Sequence, residues 1–213
     1  VFGAHGIAAA IVPNIVDLRR FSLRPVRDFG DAPHLVVTRN LESIYDIPTA
    51  IRAFARVRAI FPRARLTIAG TGPERTACER LASELGLAGA VTFAGRIDND
   101  QIAPLYASAD AMLNPSTVDN MPISILEAYA SGVPVVSTNV GGIPDLASDG
   151  VTALLVPAHD AEAMSAAALR VLSDRALAAR LVAQGVESAR QYDWHAVRER
   201  WYAVYRAAAG ARR

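Results

Sequence analysis

The sequence predicts an α/β fold, a parallel sheet of about six strands with helices on both faces. Short runs rich in β-branched residues alternate along the chain with longer helical patterns. These runs are apolar at successive positions, as strands covered on both faces must be. At 213 residues, 52% of them hydrophobic and 20% charged, the chain is also long enough for one large domain with a proper core.

The elements follow in order. The first sixteen residues, VFGAHGIAAAIVPNIV, carry no formal charge. No basic segment precedes them, Pro13 and Asn14 interrupt them, and they are too short to span a bilayer. Without an initiating Met, they read as a stretch from within a longer chain. The strands expected are HLVVT (34–38), RLTIAG (65–70), AVTFAG (90–95), DAMLNP (110–115), VPVVST (133–138) and TALLVP (152–157). Helical patterns fill 46–60, 74–85, roughly 100–108 and 122–131, then 161–172, 174–190 and 194–208. NVGGIPDL (139–146) reads as a Gly-Gly loop, suited to a close backbone approach or simply to turning the chain. In the last helix Trp194, Val197, Trp201 and Val204/Tyr205 recur at three- and four-residue steps, an apolar stripe that must pack on this domain or on another.

Composition excludes some functions. With 22 Lys+Arg against 21 Asp+Glu the net charge is +1, which gives no general attraction to nucleic acid or an anionic membrane. The single cysteine, Cys78, excludes an intramolecular disulfide and fits a reducing compartment. It lies in a helical pattern and reads as a small apolar residue rather than a nucleophile. His5, His34, His159 and His195 lack ligand spacing, read as surface or packing residues, and imply no metal.

In a parallel α/β sheet, ligands bind beyond the carboxyl ends of the strands. Arg39 follows the first strand, where its fork suits phosphate, although position alone favours an exposed loop arginine. IAGTGPER (68–75) places Gly70 and Gly72 between a strand and a helix. The third glycine of a dinucleotide fingerprint would fall on Arg75, so a redox Rossmann site is not expected. The pair serves either backbone approach to a ligand or the turn itself. STVDNMPISILEAYASGVPVV (116–136) is more specific. Pro122 suits the first position of a helix, with Asp119 and Asn120 just ahead. The N–H groups of Ile123 and Ser124 would then face an anion above the helix terminus. The dipole contribution is about 0.3–1 kcal/mol, up to ~2 if partly buried. Glu127, one turn further in, leans back toward that terminus and suits sugar hydroxyls. Asp119 would take hydroxyls at the other end of the same ligand. The plainer alternatives are a helix cap for Asp119 and a solvated acid for Glu127.

Taken together, "TRNL", "LTIAGTGPE", "VTFAGRI", "LYASADAMLNPS", "DNMPISILEAYASGVPVVSTNVGGIPDL" and "GVTALLVP" resemble, in that order, the donor-binding half of retaining glycosyltransferases of the family 4 (group 1) type. The resemblance runs from VPNIVDLRRF (12–21) to YDW (192–194). It implies one Rossmann-like half of a two-domain GT-B fold. Residues 1–30 would be the interdomain connection, 31–192 the donor-binding domain, and 193–213 a helix packing toward an absent N-terminal domain. It further implies that Glu127 holds the nucleotide ribose, Asp119 contacts the donor sugar and Arg39 contacts the diphosphate. Asn120, Met121, Pro122, Ile123 and Ser124 would line the diphosphate and sugar, Gly70 and Gly72 would approach the donor, and Arg96 and Ile97 would border the base.

There are two departures. Asp119 replaces the usual Glu, and Tyr45 or a neighbour stands where a second phosphate cation is expected. A charge-assisted hydrogen bond contributes roughly 1.5–3 kcal/mol and a neutral one about 1, so the exchange would weaken diphosphate binding roughly tenfold or more. The implied partners are a nucleotide-diphosphate sugar and, through the absent domain, a glycan, lipid or small-molecule acceptor. No cofactor, metal or nucleic acid is implied. Self-association through the Trp stripe and a cytoplasmic location are expected, with attachment to the inner face of a membrane coming only from the other half. The fragment alone is expected to be inactive. Rival readings are a non-catalytic nucleotide- or partner-binding domain with a decayed donor site, and a sugar-nucleotide epimerase of the same fold.

Overall fold

The computed structural model describes residue 6, residues 9–23 and residues 30–210. Six strands form one parallel sheet: β1 (His34–Val37), β2 (Arg65–Ala69), β3 (Val91–Gly95), β4 (Ala111–Asn114), β5 (Val135–Thr138) and β6 (Leu154–Val156). Their order is β3-β2-β1-β4-β5-β6, and every adjacent pair is parallel. The order reverses between β1 and β4, the switch point where the flanking loops part and leave a crevice.

The helices are α1 (Ile47–Ile60), α2 (Arg75–Glu84), α3 (Ile102–Ser108), α4 (Ile123–Ala130), α5 (Ile143–Leu146), α6 (Ala161–Ser173), α7 (Arg175–Ala189) and α8 (Trp194–Gly210). Alternate residues of the central strands feed two separate cores, which is why β1 and β4 are buried along their whole length, whereas the edge strand β3 is only partly covered. Leu35, Val37, Leu113 and Val136 pack with α1, α2 and α6. Val36, Met112 and Val135 pack on the opposite face with α3, α4 and α5. Truncating a fully buried side chain such as Phe54 or Leu66 to alanine costs about 2–5 kcal/mol. Cys78 is fully buried within the first of these cores, and burial pushes its thiol up to about 11, so it is inert packing. α7 reaches both cores, and Gly185 lets it close on Tyr129: an added Cβ there would lie 2.6 Å from the ring.

Several expectations need adjustment. The Gly-Gly loop runs directly into α5, whose four residues are too few to leave a periodic signal. Pro122 is the N-cap of α4, not its first residue, because its ψ of 111° is extended. His34 is a packing residue whose Nε2 lies 2.8 Å from Thr67 Oγ1. His159 meets Asp46, the N-cap of α1, at the surface, whereas His5 lies outside the described residues.

The described part of the connecting segment lies along the domain. Val16 N–H donates to the Tyr192 carbonyl (2.9 Å) and Phe21 is buried. Of the stripe on α8 only Val197 is fully buried. Trp194 is 43% exposed, and Trp201 stacks on Tyr205 with ring centroids 5.9 Å apart. No helix among the described residues is long and apolar enough to cross a membrane.

Candidate functional site

The loops after β1 and β4 meet at the switch point, and the acid and base read from the sequence meet there too. Arg39, two residues beyond β1, donates through Nε to Asn114 Oδ1 (2.8 Å) at the end of β4. Its Nη2 donates to Asp119 Oδ2. Both side chains are only 12% exposed. The Arg39 guanidinium carbon lies over the Tyr45 ring, 5.3 Å from its centroid. Tyr45 therefore supports Arg39 from one side instead of supplying a second positive charge. Asn114 is fully buried and donates in turn to Ser137 Oγ (2.9 Å). Ser116 bonds to both Asn114 Oδ1 (3.1 Å) and Asp119 Oδ2 (3.3 Å).

Glu127 lies in a different environment. Tyr106, fully buried on α3, donates to Glu127 Oε2 (3.3 Å) and lies 3.1 Å from the Ser124 carbonyl. Thr38 Oγ1, at the end of β1, is 2.7 Å from the same phenol oxygen. A phenol has one proton and can accept others, so Thr38 supplies a hydrogen while Tyr106 gives its own to Glu127 or Ser124. Burial raises the pKa of Glu127 above the ordinary carboxylate range. The Tyr106 hydrogen bond and the charges of Arg20 and Arg39 pull it part of the way back. Burial likewise drives the Tyr106 hydroxyl well above its usual value, so it stays protonated and a donor.

Arg39 and Glu127 line one cavity of about 400 Å³, together with Thr38, Gly70, Arg96 and Ile97. That is within the ~300–1,000 Å³ usual for small-ligand sites. Arg96 is exposed and approaches Asp98 only at 4.0 Å, so its charge is free to turn toward a ligand. Gly70 does double duty: it lines the cavity, and an added Cβ would lie 2.1 Å from the Arg39 carbonyl oxygen. Gly72 does not line it. It packs on Leu41, where a Cβ would lie 2.2 Å from the carbonyl oxygen, and its role is to seat the Arg39 loop.

Asp119, Asn120 and Met121 border a second cavity, of about 810 Å³, which Tyr45, Asn14 and Arg200 also line. Sequence reasoning put Asp119 at the other end of the ligand that Glu127 reads, and in the structure the two acids border different cavities. Pro122, Ile123 and Ser124 line neither cavity. α4 opens without a side-chain cap, so Asp119 is not its cap; Ile125 N–H donates to the Pro122 carbonyl (3.1 Å), which leaves the Ile123 and Ser124 N–H groups their donor capacity. Gly141 and Gly142 pack against this loop. A Cβ on either would lie 2.0 and 2.2 Å from the carbonyl oxygens of Asp119 and Asn120, respectively.

Sequence reasoning missed Tyr106, Asn114, Ser116 and Arg20. Polar residues at the end of an otherwise apolar β4 were the available signal for Asn114 and Ser116. The chain contains no lysine, so any further cation from it is an arginine. Arg20 donates to the Asn99 carbonyl on the Arg96 side of the first cavity, and its charge acts on Glu127.

Comparison with known proteins identifies the family. Residues 32–174 match the model of the glycosyl transferases group 1 family. A phosphatidyl-myo-inositol mannosyltransferase of Mycolicibacterium smegmatis is 32% identical over 98% of this chain and 54% of its own length. Among solved structures, a sucrose-phosphate synthase from Thermosynechococcus elongatus superposes with a TM-score of 0.83 at 28% identity, over 94% of this chain and 52% of that one. An Anabaena protein, HepE, solved in complex with UDP-glucose, gives a TM-score of 0.82 over 92% of this chain and 57% of that one. At 18% identity this last likeness speaks for the fold alone. The chain spans about half the length of the curated relatives it matches. It belongs to the group 1 glycosyltransferase family, with the Rossmann-like fold of one half of a GT-B enzyme.

Proposed function

We propose that this chain is the donor-binding half of a glycosyltransferase that moves a sugar from a nucleotide-diphosphate sugar to an acceptor with retention of configuration. The observation that carries this is the first cavity. It lies at the switch point of the sheet, with Arg39 at one end and a half-buried Glu127 carboxylate in its wall. Glu127 accepts hydrogen bonds from the ribose hydroxyls. Arg39 and the first-turn N–H groups of α4 hold the diphosphate, and they stabilise the charge that grows on it as the glycosidic bond breaks. Arg96 and Ile97 border the base. Asp119 faces the donor sugar from the side of the second cavity. The proposed reaction needs no metal or cofactor, because an arginine and a helix terminus meet the phosphate charge.

Residues 31–192 make up the donor domain, the segment up to residue 30 the connection, and residues 193–213 a closing segment whose helix α8 is directed toward an acceptor-binding domain. The acceptor, a glycan, lipid or small molecule, is bound by that other domain, so this segment alone is inactive. The intact protein works in the cytoplasm.

Calorimetric titration with UDP, GDP and ADP tests the proposal. One nucleotide is expected to bind, with binding abolished in Glu127→Ala and a melting temperature nearly unchanged. Binding that survives Glu127→Ala would remove Glu127 from the site, and no binding to any of the three would remove the donor reading of this segment.

A further inference from the structure

Arg39, proposed for the diphosphate, is already engaged at two of its three nitrogens. Nε is held by Asn114, Nη2 by Asp119, and the guanidinium carbon sits over the Tyr45 ring. Among the described residues no protein group accepts from Nη1, and Arg39 lines the first cavity. Asp119 is itself fixed. Ser116 bonds its carboxylate, Gly142 N–H donates to its carbonyl (2.9 Å), and the Gly141–Gly142 backbone closes against it. The acid is therefore a built-in part of the cation's seat.

An arginine paired this closely offers a ligand direction but little net charge. We propose, resting on the donor reading above, that Asp119 is the counter-charge of the phosphate seat. It presents Arg39 edge-on to the cavity and moderates the grip on a diphosphate, so that the spent nucleoside diphosphate leaves. Asp119 Oδ2 performs this role whether or not Oδ1 also accepts from a donor sugar. The two roles separate experimentally, because a nucleoside diphosphate carries the phosphates and no donor sugar.

The test is calorimetry of UDP, GDP and ADP, and of the matching nucleoside, on the chain and on Asp119→Asn. Asparagine keeps an oxygen for Arg39 Nη2 and removes the charge. The variant is expected to bind the responsive diphosphate roughly tenfold tighter and the nucleoside unchanged. The gain should vanish in an Arg39→Leu background. Asp119→Ser, which loses charge and tether together, should gain less than Asp119→Asn and guards against misfolding of a single variant. Unchanged or weaker diphosphate binding in Asp119→Asn, with binding still lost in Glu127→Ala, overturns the counter-charge while leaving the donor site standing. A gain that persists without Arg39 overturns it as well. Absence of binding in every protein, Asp119→Asn included, removes the donor reading and this inference with it.

Discussion

Asp119 and Glu127 are both half-buried acids at the edge of one helix, yet their surroundings oppose each other. Asp119 is satisfied inside the protein, by Arg39 and Ser116, across the joint between β1 and β4. Glu127 is held by a single phenol in an environment that burial makes unfavourable for its charge. An acid with its cation at hand contributes to the fold. An acid kept half dry without a bonded cation adds little stability, and its remaining hydrogen-bonding capacity is directed at whatever enters the cavity. The contrast fits the proposal that Asp119 builds the site and Glu127 reads a ligand.

The largest expected effect comes from breaking the satisfied side. Arg39→Leu leaves the Asp119 carboxylate and the Asn114 amide oxygen with Ser116 alone, in positions that water reaches poorly. Leaving such groups short of a partner costs about 1–3 kcal/mol, which urea denaturation would register as a lower midpoint at unchanged slope. Adding Asp119→Asn to this variant should restore part of the loss, because the stranded charge is gone. If Arg39→Leu unfolds like the unaltered chain, the ion pair is not structural and the comparison fails on that side.

A smaller effect is expected where the two sides touch. Tyr106→Phe removes the hydroxyl that ties Thr38 and α4 to Glu127, for about 1 kcal/mol of stability. Its more telling consequence is on binding. The Tyr106 hydrogen bond lowers the pKa of Glu127, so losing it sends that pKa further up. The pH below which nucleotide binding fades should move upward in Tyr106→Phe. An unshifted pH profile would show that the phenol packs beside Glu127 without tuning it.

Much of this contrast was hidden in the sequence, for a topological reason. The central strands were legible because a strand covered on both faces is apolar at nearly every position, and runs such as HLVVT admit little else. Glu127 stood out as the one acid of an apolar helix, whereas Arg39 took its role from the resemblance. Their partners did not. Arg39 and Asp119 are 80 residues apart, and only the β1–β4 adjacency brings them together. Tyr106 reads as an ordinary core aromatic of a short helix, since nothing local shows which polar groups its hydroxyl will reach. Asp119 and Glu127, expected at two ends of one ligand, border different cavities, and Arg39, from the loop after β1, bonds to the first and lines the cavity of the second.

The smallest expected change in stability is the sharpest test of the comparison. Burial holds the pKa of Glu127 in the folded chain above its ordinary value of 4.5. Between those two values the folded state binds more protons than the unfolded one, so stability falls as pH rises through the window. At neutral pH the ionised side chain is thus a small burden on the fold. Glu127→Gln keeps the shape and removes the charge. It should melt at the same temperature as the unaltered chain or slightly higher at pH 7, with the gap closing as pH falls below the window. Nucleotide binding should run the other way. The variant should lose the carboxylate proposed to accept the ribose hydroxyls and bind several-fold more weakly at pH 7, while the unaltered chain should lose affinity only as pH falls through the raised pKa of Glu127. A marked drop in melting temperature in Glu127→Gln would make Glu127 a structural acid like Asp119, and the division of labour between the two would disappear.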